Sequence, residues 1–176
     1  MKRLEISDLR HSKAFSLTEL MVVLVLIGIL VAILIPNFTV IRDRVDAAVC
    51  ISRLRGLYTA FSSYMSDGKG WPQVPGGIGI GSVAEQQWWR DMSIHEMGLT
   101  AQSWQCPAIV RAAKDKKTHV QATPISYLPT LFDPRPATPM AWPEMPWFIE
   151  IGNVHGNGNL MIRTDGAVLP FRGAGN

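Results

Sequence analysis

Charge is scarce in this chain of 176 residues and favours neither sign: 17 Lys and Arg stand against 14 Asp and Glu. The resulting +3 is too small, and too scattered, to point to nucleic acid, and no basic cluster exceeds Lys114, Lys116 and Lys117. Cysteine occurs only as Cys50 and Cys106, and Cys50 comes 15 residues after Ile35, where the longest apolar run ends. A lipid-anchored N-terminus needs its cysteine just past that run. A cleavable secretory signal needs a small-x-small site there, and Ile35-Pro36-Asn37-Phe38 is a poor one. The chain also lacks a convincing catalytic set, which makes a membrane-anchored enzyme the weakest functional class, and no cofactor is expected.

What the chain has is one long apolar stretch, "KAFSLTELMVVLVLIGILVAILIP", residues 13–36. Leu20–Ile35 carries no charge, and Glu19 is the only ionisable residue between Phe15 and Phe38. Those 24 residues make a helix of ~36 Å, enough for a bilayer core of ~30 Å. In lipid the backbone must satisfy its own hydrogen bonds, so a helix is expected. Lys2, Arg3, Arg10 and Lys13 crowd the first 14 residues against Glu5 and Asp8. The positive-inside rule then keeps that leader cytoplasmic and puts the bulk of the chain across the membrane.

Pro36 should kink the helix at the membrane exit. Helical spacing then resumes through Phe38, Ile41, Val45, Ala48, Leu54, Leu57, Tyr58, Phe61 and Met65, with Arg42, Asp43, Arg44, Asp46, Arg53 and Arg55 on a face expected to be solvated. The helix should end near Asp67-Gly68. Beyond it, 83–97 and, more weakly, 108–117 read as helices. Residues 125–132, 148–151, 159–164 and 167–171 read as strands, the last two a hairpin about Asp165-Gly166. Pro134, Pro136, Pro139, Pro143 and Pro146 argue against regular structure between Asp133 and Trp147. Trp142 and Trp147 should pin that loop to the core rather than form a recognition surface.

The sequence Ala14, then Phe15-Ser16-Leu17-Thr18-Glu19, then the apolar run resembles the processing motif of type IV pilins and type II secretion pseudopilins. Gly28 and Pro36 also stand where such helices commonly carry Gly and Pro, whereas Ala14 replaces the usual Gly before the cut. His155, with nine residues intervening before Asp165-Gly166, resembles the H-x9-DG signature of a pseudopilin-like group abundant in Planctomycetes and Verrucomicrobia. "CISRLRGLYTAFSSYMSDGKGWP" and "MGLTAQSWQCP" fit that group as well.

The resemblance implies an α+β, pilin-like lollipop: a long N-terminal helix packed on a small antiparallel sheet domain. Its parts are a leader (1–14), a transmembrane and assembly helix (15–38), an amphipathic continuation (39–67) and a periplasmic head (68–176). It implies leader cleavage between Ala14 and Phe15 by a prepilin peptidase, and N-methylation of Phe15. Glu19 would then dock against the methylated terminal amine of a neighbouring subunit. Other pilin-type subunits, an inner-membrane assembly platform and the bilayer are the implied partners. The protein would be a single-pass inner-membrane subunit of a pseudopilus, with a substrate-, DNA- or surface-binding minor pilin as the alternative.

Two questions stay open on residues alone. Cys50 and Cys106 both fall in the oxidising compartment, where they form either a disulfide or two buried thiols. His155 and Asp165 are expected to serve structure, Asp165 in the turn and His155 within the Gly-rich loop 152–159, and not to form a metal site. Some pseudopilins hold calcium in a C-terminal loop. Here Asp165 is the only acid after Glu150, too few charged oxygens for that ion.

Overall fold

A computed structural model describes residues 16–115, 118, 120–135, 137–156 and 158–171, with the side chains of Pro36, Asn37 and Thr39 excluded. The chain divides into two compact units, 1–41 and 42–176.

The first unit is the N-terminal part of helix α1, Leu17–Ser66, which begins with the apolar run. Its segment Leu17–Ile35 has a mean hydropathy of 2.9 and none of it is buried within the chain. It is long and apolar enough to cross a membrane. The helix runs unbroken through Pro36, whose missing N–H removes one of its backbone bonds.

In the second unit the rest of α1 forms one wall of the core. Cys50, Leu54, Leu57, Phe61 and Met65 recur at spacings of three and four and are buried. The predicted apolar face is therefore shorter than its periodicity suggests: Phe38, Ile41 and Val45 are exposed. The expected solvated face is also interrupted. Asp46 is buried and is met by Arg111, and Arg53 donates to the Gln105 carbonyl. A buried carboxylate is tolerated when a cation pairs with it.

Helix α2, Val83–Met97, starts on Ser82, whose hydroxyl accepts from Glu85 N–H, and ends at Gly98 with φ 67°. A 3₁₀ turn, Ala101–Trp104, and helix α3, Pro107–Lys114, follow. The sheet comprises β1 (Tyr127–Pro129), β2 (Phe148–Glu150), β3 (Asn159–Ile162) and β4 (Val168–Phe171). It is a four-stranded antiparallel meander in sequence order, with Leu128 opposite Ile149, Phe148 opposite Ile162 and Met161 opposite Leu169.

Between β1 and β2 the proline-rich stretch contains one short helix, α4 (Thr138–Ala141), where no regular structure was expected. Pro139 sits in its first turn, where a missing N–H leaves no helical bond unmade. Trp147 is fully buried, with its ring centroid 4.8 Å from that of Tyr58 and 5.4 Å from that of Trp71. Trp142 does not pin the loop; it is 59% exposed.

Phe61 lies at the centre of the core, 4.9 Å from Phe148 and 5.2 Å from Trp71 between ring centroids, with Trp89 and Trp104 just beyond. This aromatic packing joins α1, α2, the 3₁₀ turn and β2.

Candidate functional sites on the apolar helix and in the head

At the start of α1, Ser16 N–H donates to Glu19 Oε2 at 2.9 Å, and Glu19 N–H donates to Ser16 Oγ at 3.2 Å. This reciprocal pair is a capping box, which satisfies two of the donors a helix N-terminus leaves unpaired. The S-x-x-E spacing of Ser16 and Glu19 is the local sequence signal for it. Leucine, valine and isoleucine side chains beyond Glu19 are more than 40% exposed throughout 20–35. Such a surface calls for lipid or apolar neighbours. Ala14 and Phe15 lie outside the described residues, as does the side chain of Pro36.

In the second unit, three chain segments far apart in sequence meet. Cys50 comes from α1, Cys106 from the residue before α3, Glu150 from the end of β2, and His155 from the loop between β2 and β3. Cys50 and Cys106 form a disulfide with Cα atoms 5.2 Å apart. His155 Nε2 lies 3.2 Å from Glu150 Oε1 and 3.6 Å from Cys106 Sγ. The Glu150 side chain is fully buried and that of His155 is 8% exposed. The second Glu150 oxygen accepts from Leu160 N–H at 3.3 Å.

Around them, Tyr127 O–H donates to the Cys50 carbonyl at 3.3 Å. Burial pushes the Tyr127 hydroxyl pKa far up, the Glu150 charge adds to this, and Arg53 opposes it. The phenol therefore remains a donor. Among the described residues, His155 thus reaches out of its loop to Glu150 and Cys106, where partners within 152–159 were expected. Asp165 faces elsewhere. It accepts from Ala167 N–H at 2.9 Å and from Arg163, and the Ala167 bond is the main cause of its lowered pKa. Gly166, at φ 75°, completes the turn, where an added Cβ would come 3.2 Å from the Tyr58 ring. The sequence reading kept His155 within its own loop and missed Glu150 as its partner. An acid ending an apolar strand was the available signal.

Comparison with known proteins bears on the first of these sites. A family model described as the prokaryotic N-terminal methylation motif matches residues 9–35. Over its N-terminal part the chain is similar to type IV pilins and type II secretion pseudopilins. It is 42% identical over 57 residues to the type IV major pilin protein PilA of Myxococcus xanthus, covering 32% of this chain and 26% of that protein. It is 29% identical over 70 residues to the type II secretion system core protein G of Dickeya chrysanthemi, covering 40% of this chain and 46% of the relative. The corresponding protein of Klebsiella michiganensis is 32% identical over 69 residues, covering 39% and 49%. The chain thus spans half or less of the curated relatives it matches. No solved structure matches it. These likenesses point to pilin and pseudopilin proteins, which are structural. An exposed apolar N-terminal helix fits membrane anchoring of such a subunit. The pilin-like motif ends well before His155 and Asp165, so the C-terminal signature gains no support from it.

Proposed function

We propose that the protein is a structural subunit of a pilus-like filament, of the pseudopilus type that serves a type II secretion system. It is made as a prepilin, cut between Ala14 and Phe15 by a prepilin peptidase on the cytoplasmic face, and N-methylated at Phe15. The helix then holds the subunit in the inner membrane as a single pass, with the head in the periplasm. From there the subunit passes, through an assembly platform, into a filament of packed N-terminal helices. One observation carries this reading: the methylation-motif match over 9–35 coincides with the apolar helical segment Leu17–Ile35, whose sole acid is Glu19.

Glu19 serves two roles in this scheme, a cap within its own helix and a counter-charge for the methylated amine of a neighbour. A carboxylate among lipid tails is costly, and a pair of opposite charges desolvated together costs far less than either alone.

Glu19→Gln separates the roles, because glutamine keeps the capping box and removes the charge. Membrane insertion should be intact, and sheared or crosslinked filament should fall at least ~10-fold, as expected from an unpaired buried charge worth more than ~1.4 kcal/mol. Wild-type filament yield from Glu19→Gln would eliminate the counter-charge role. Intact-mass analysis of the membrane-extracted protein tests the processing. The expected species starts at Phe15 with one added methyl group, and a chain retaining residues 1–14 contradicts it.

A further inference from the structure

We infer that Cys50, Cys106, Glu150 and His155 form a zinc site when the two cysteines are reduced, and that the disulfide and the metal are alternative occupants of one buried position. The inference does not depend on filament membership.

The first argument is geometric. One ligand atom from each of the four residues lies within 4.8 Å of every other, and three of the four residues are buried. In a tetrahedral zinc site with Zn–S ~2.3 Å and Zn–N or Zn–O ~2.0–2.1 Å, ligand atoms are separated by ~3.5 Å for S···N and ~3.3 Å for N···O. The corresponding separations here are 3.6 Å for Cys106 Sγ to His155 Nε2 and 3.2 Å for His155 Nε2 to Glu150 Oε1. Two edges of the tetrahedron are therefore already set. The sulfurs must part to ~3.8 Å once their bond opens, a movement that cysteine χ1 rotation supplies.

The second argument concerns His155. A single ring nitrogen, Nε2, faces both a carboxylate oxygen and a sulfur. It carries either one proton or one lone pair, so it cannot serve both neighbours as a donor with good geometry. A cation placed among the three satisfies all of them. The disulfide itself makes no use of a buried carboxylate and an imidazole, and the buried Glu150 beside it is held by His155 Nε2 and Leu160 N–H.

The ligand chemistry selects the ion. Two thiolates, an imidazole and a carboxylate in a closed four-coordinate site suit zinc and not calcium or magnesium, which require oxygen shells. The supporting shell is present. Leu160 N–H holds the second Glu150 oxygen, and Tyr127 O–H holds the carbonyl of Cys50.

The exchange balances with a dithiol as reductant. Its two thiol hydrogens and two electrons pass to Cys50 and Cys106 as their S–S bond breaks, and the dithiol leaves as its own disulfide. Zinc then displaces the two thiol protons to solvent and takes lone pairs from neutral His155 and ionised Glu150. A newly synthesised chain carries both thiols before any oxidation, so zinc can hold the four residues together from the outset.

The test uses the full-length chain in detergent micelles, reduced with a water-soluble phosphine, moved into metal-free buffer and titrated with cobalt(II), then zinc(II). Reduced protein should bind one cobalt with thiolate-to-metal charge-transfer absorption and d–d bands of tetrahedral intensity, all abolished by zinc. Unreduced protein should show none of this. His155→Gln should weaken binding at least ~10-fold and alter the d–d bands, and Glu150→Gln should do the same where near-ultraviolet circular dichroism shows it folded. Absence of the cobalt spectrum from reduced wild-type protein overturns the inference. So does His155→Gln binding with wild-type affinity and spectrum, since the thiols alone would then be the ligands.

Discussion

Asp133 illustrates how much a single side chain does at the entrance to a proline-rich loop. It accepts from Arg135 Nε at 2.9 Å, from Arg135 N–H at 3.0 Å and from Thr138 Oγ1 at 2.6 Å. The Arg135 side chain first, and Thr138 second, hold its carboxyl well below the usual range. A depressed folded-state pKa contributes stability that is present above the unfolded value of ~3.9 and is lost as pH falls through the lower folded value. Carboxyl-detected NMR should therefore show Asp133 ionised through the pH range in which ordinary aspartates protonate. A midpoint at or above ~3.9 would contradict the assignment. At this scale the sequence was legible where partners are near in the chain. Ser16 and Glu19 stand three apart, and Asp165-Gly166 announced its own turn. The Glu150, His155 and cysteine cluster was not legible, because its members are separated by up to 105 positions and only the topology unites them.

Among the elements, α2 is the clearest case of local chemistry fixing both ends. Its predicted range, 83–97, is the observed one. Ser82 caps the first turn, Glu85 Oε2 accepts from Gly81 N–H at 2.5 Å, and Gly98 takes the left-handed conformation after the last turn. The same S-x-x-E pattern opens α1. Ser82→Ala should lower the unfolding free energy by ~1 kcal/mol, read as a shift of the urea midpoint at unchanged slope. An unchanged midpoint would mean that packing of Trp89 and Ser93 alone sets this end. The strands were located but drawn too long. Residues 125–132 read as one strand, and only Tyr127–Pro129 pairs, because β2 offers a ladder of three residues. The flanks still bond across, Thr130 N–H to the Trp147 carbonyl at 2.9 Å and Ile151 N–H to that of Ser126 at 2.8 Å. The 3₁₀ turn at Ala101–Trp104 and α4 left no periodic signal in their four residues each.

For the whole molecule, the bond between Cys50 and Cys106 closes a loop with a sequence separation of 56. Chain entropy puts its contribution at about 4 kcal/mol, before any native-state strain. Reduction in the presence of a chelator should lower the urea midpoint correspondingly, and equal midpoints for reduced and oxidised protein would show that the loop is already restricted when unfolded. The same residue pair has a mechanical meaning. A pull applied to α1 from its N-terminal side reaches Cys50 before it reaches Leu54, Leu57, Phe61 or Met65, which hold the helix in the head only by non-covalent contact. At Cys50 the load divides, and part of it passes through sulfur directly into the segment before α3. With the bond closed, the chain between the two cysteines cannot be paid out as slack, so the head behaves under tension as if bolted to its own stem.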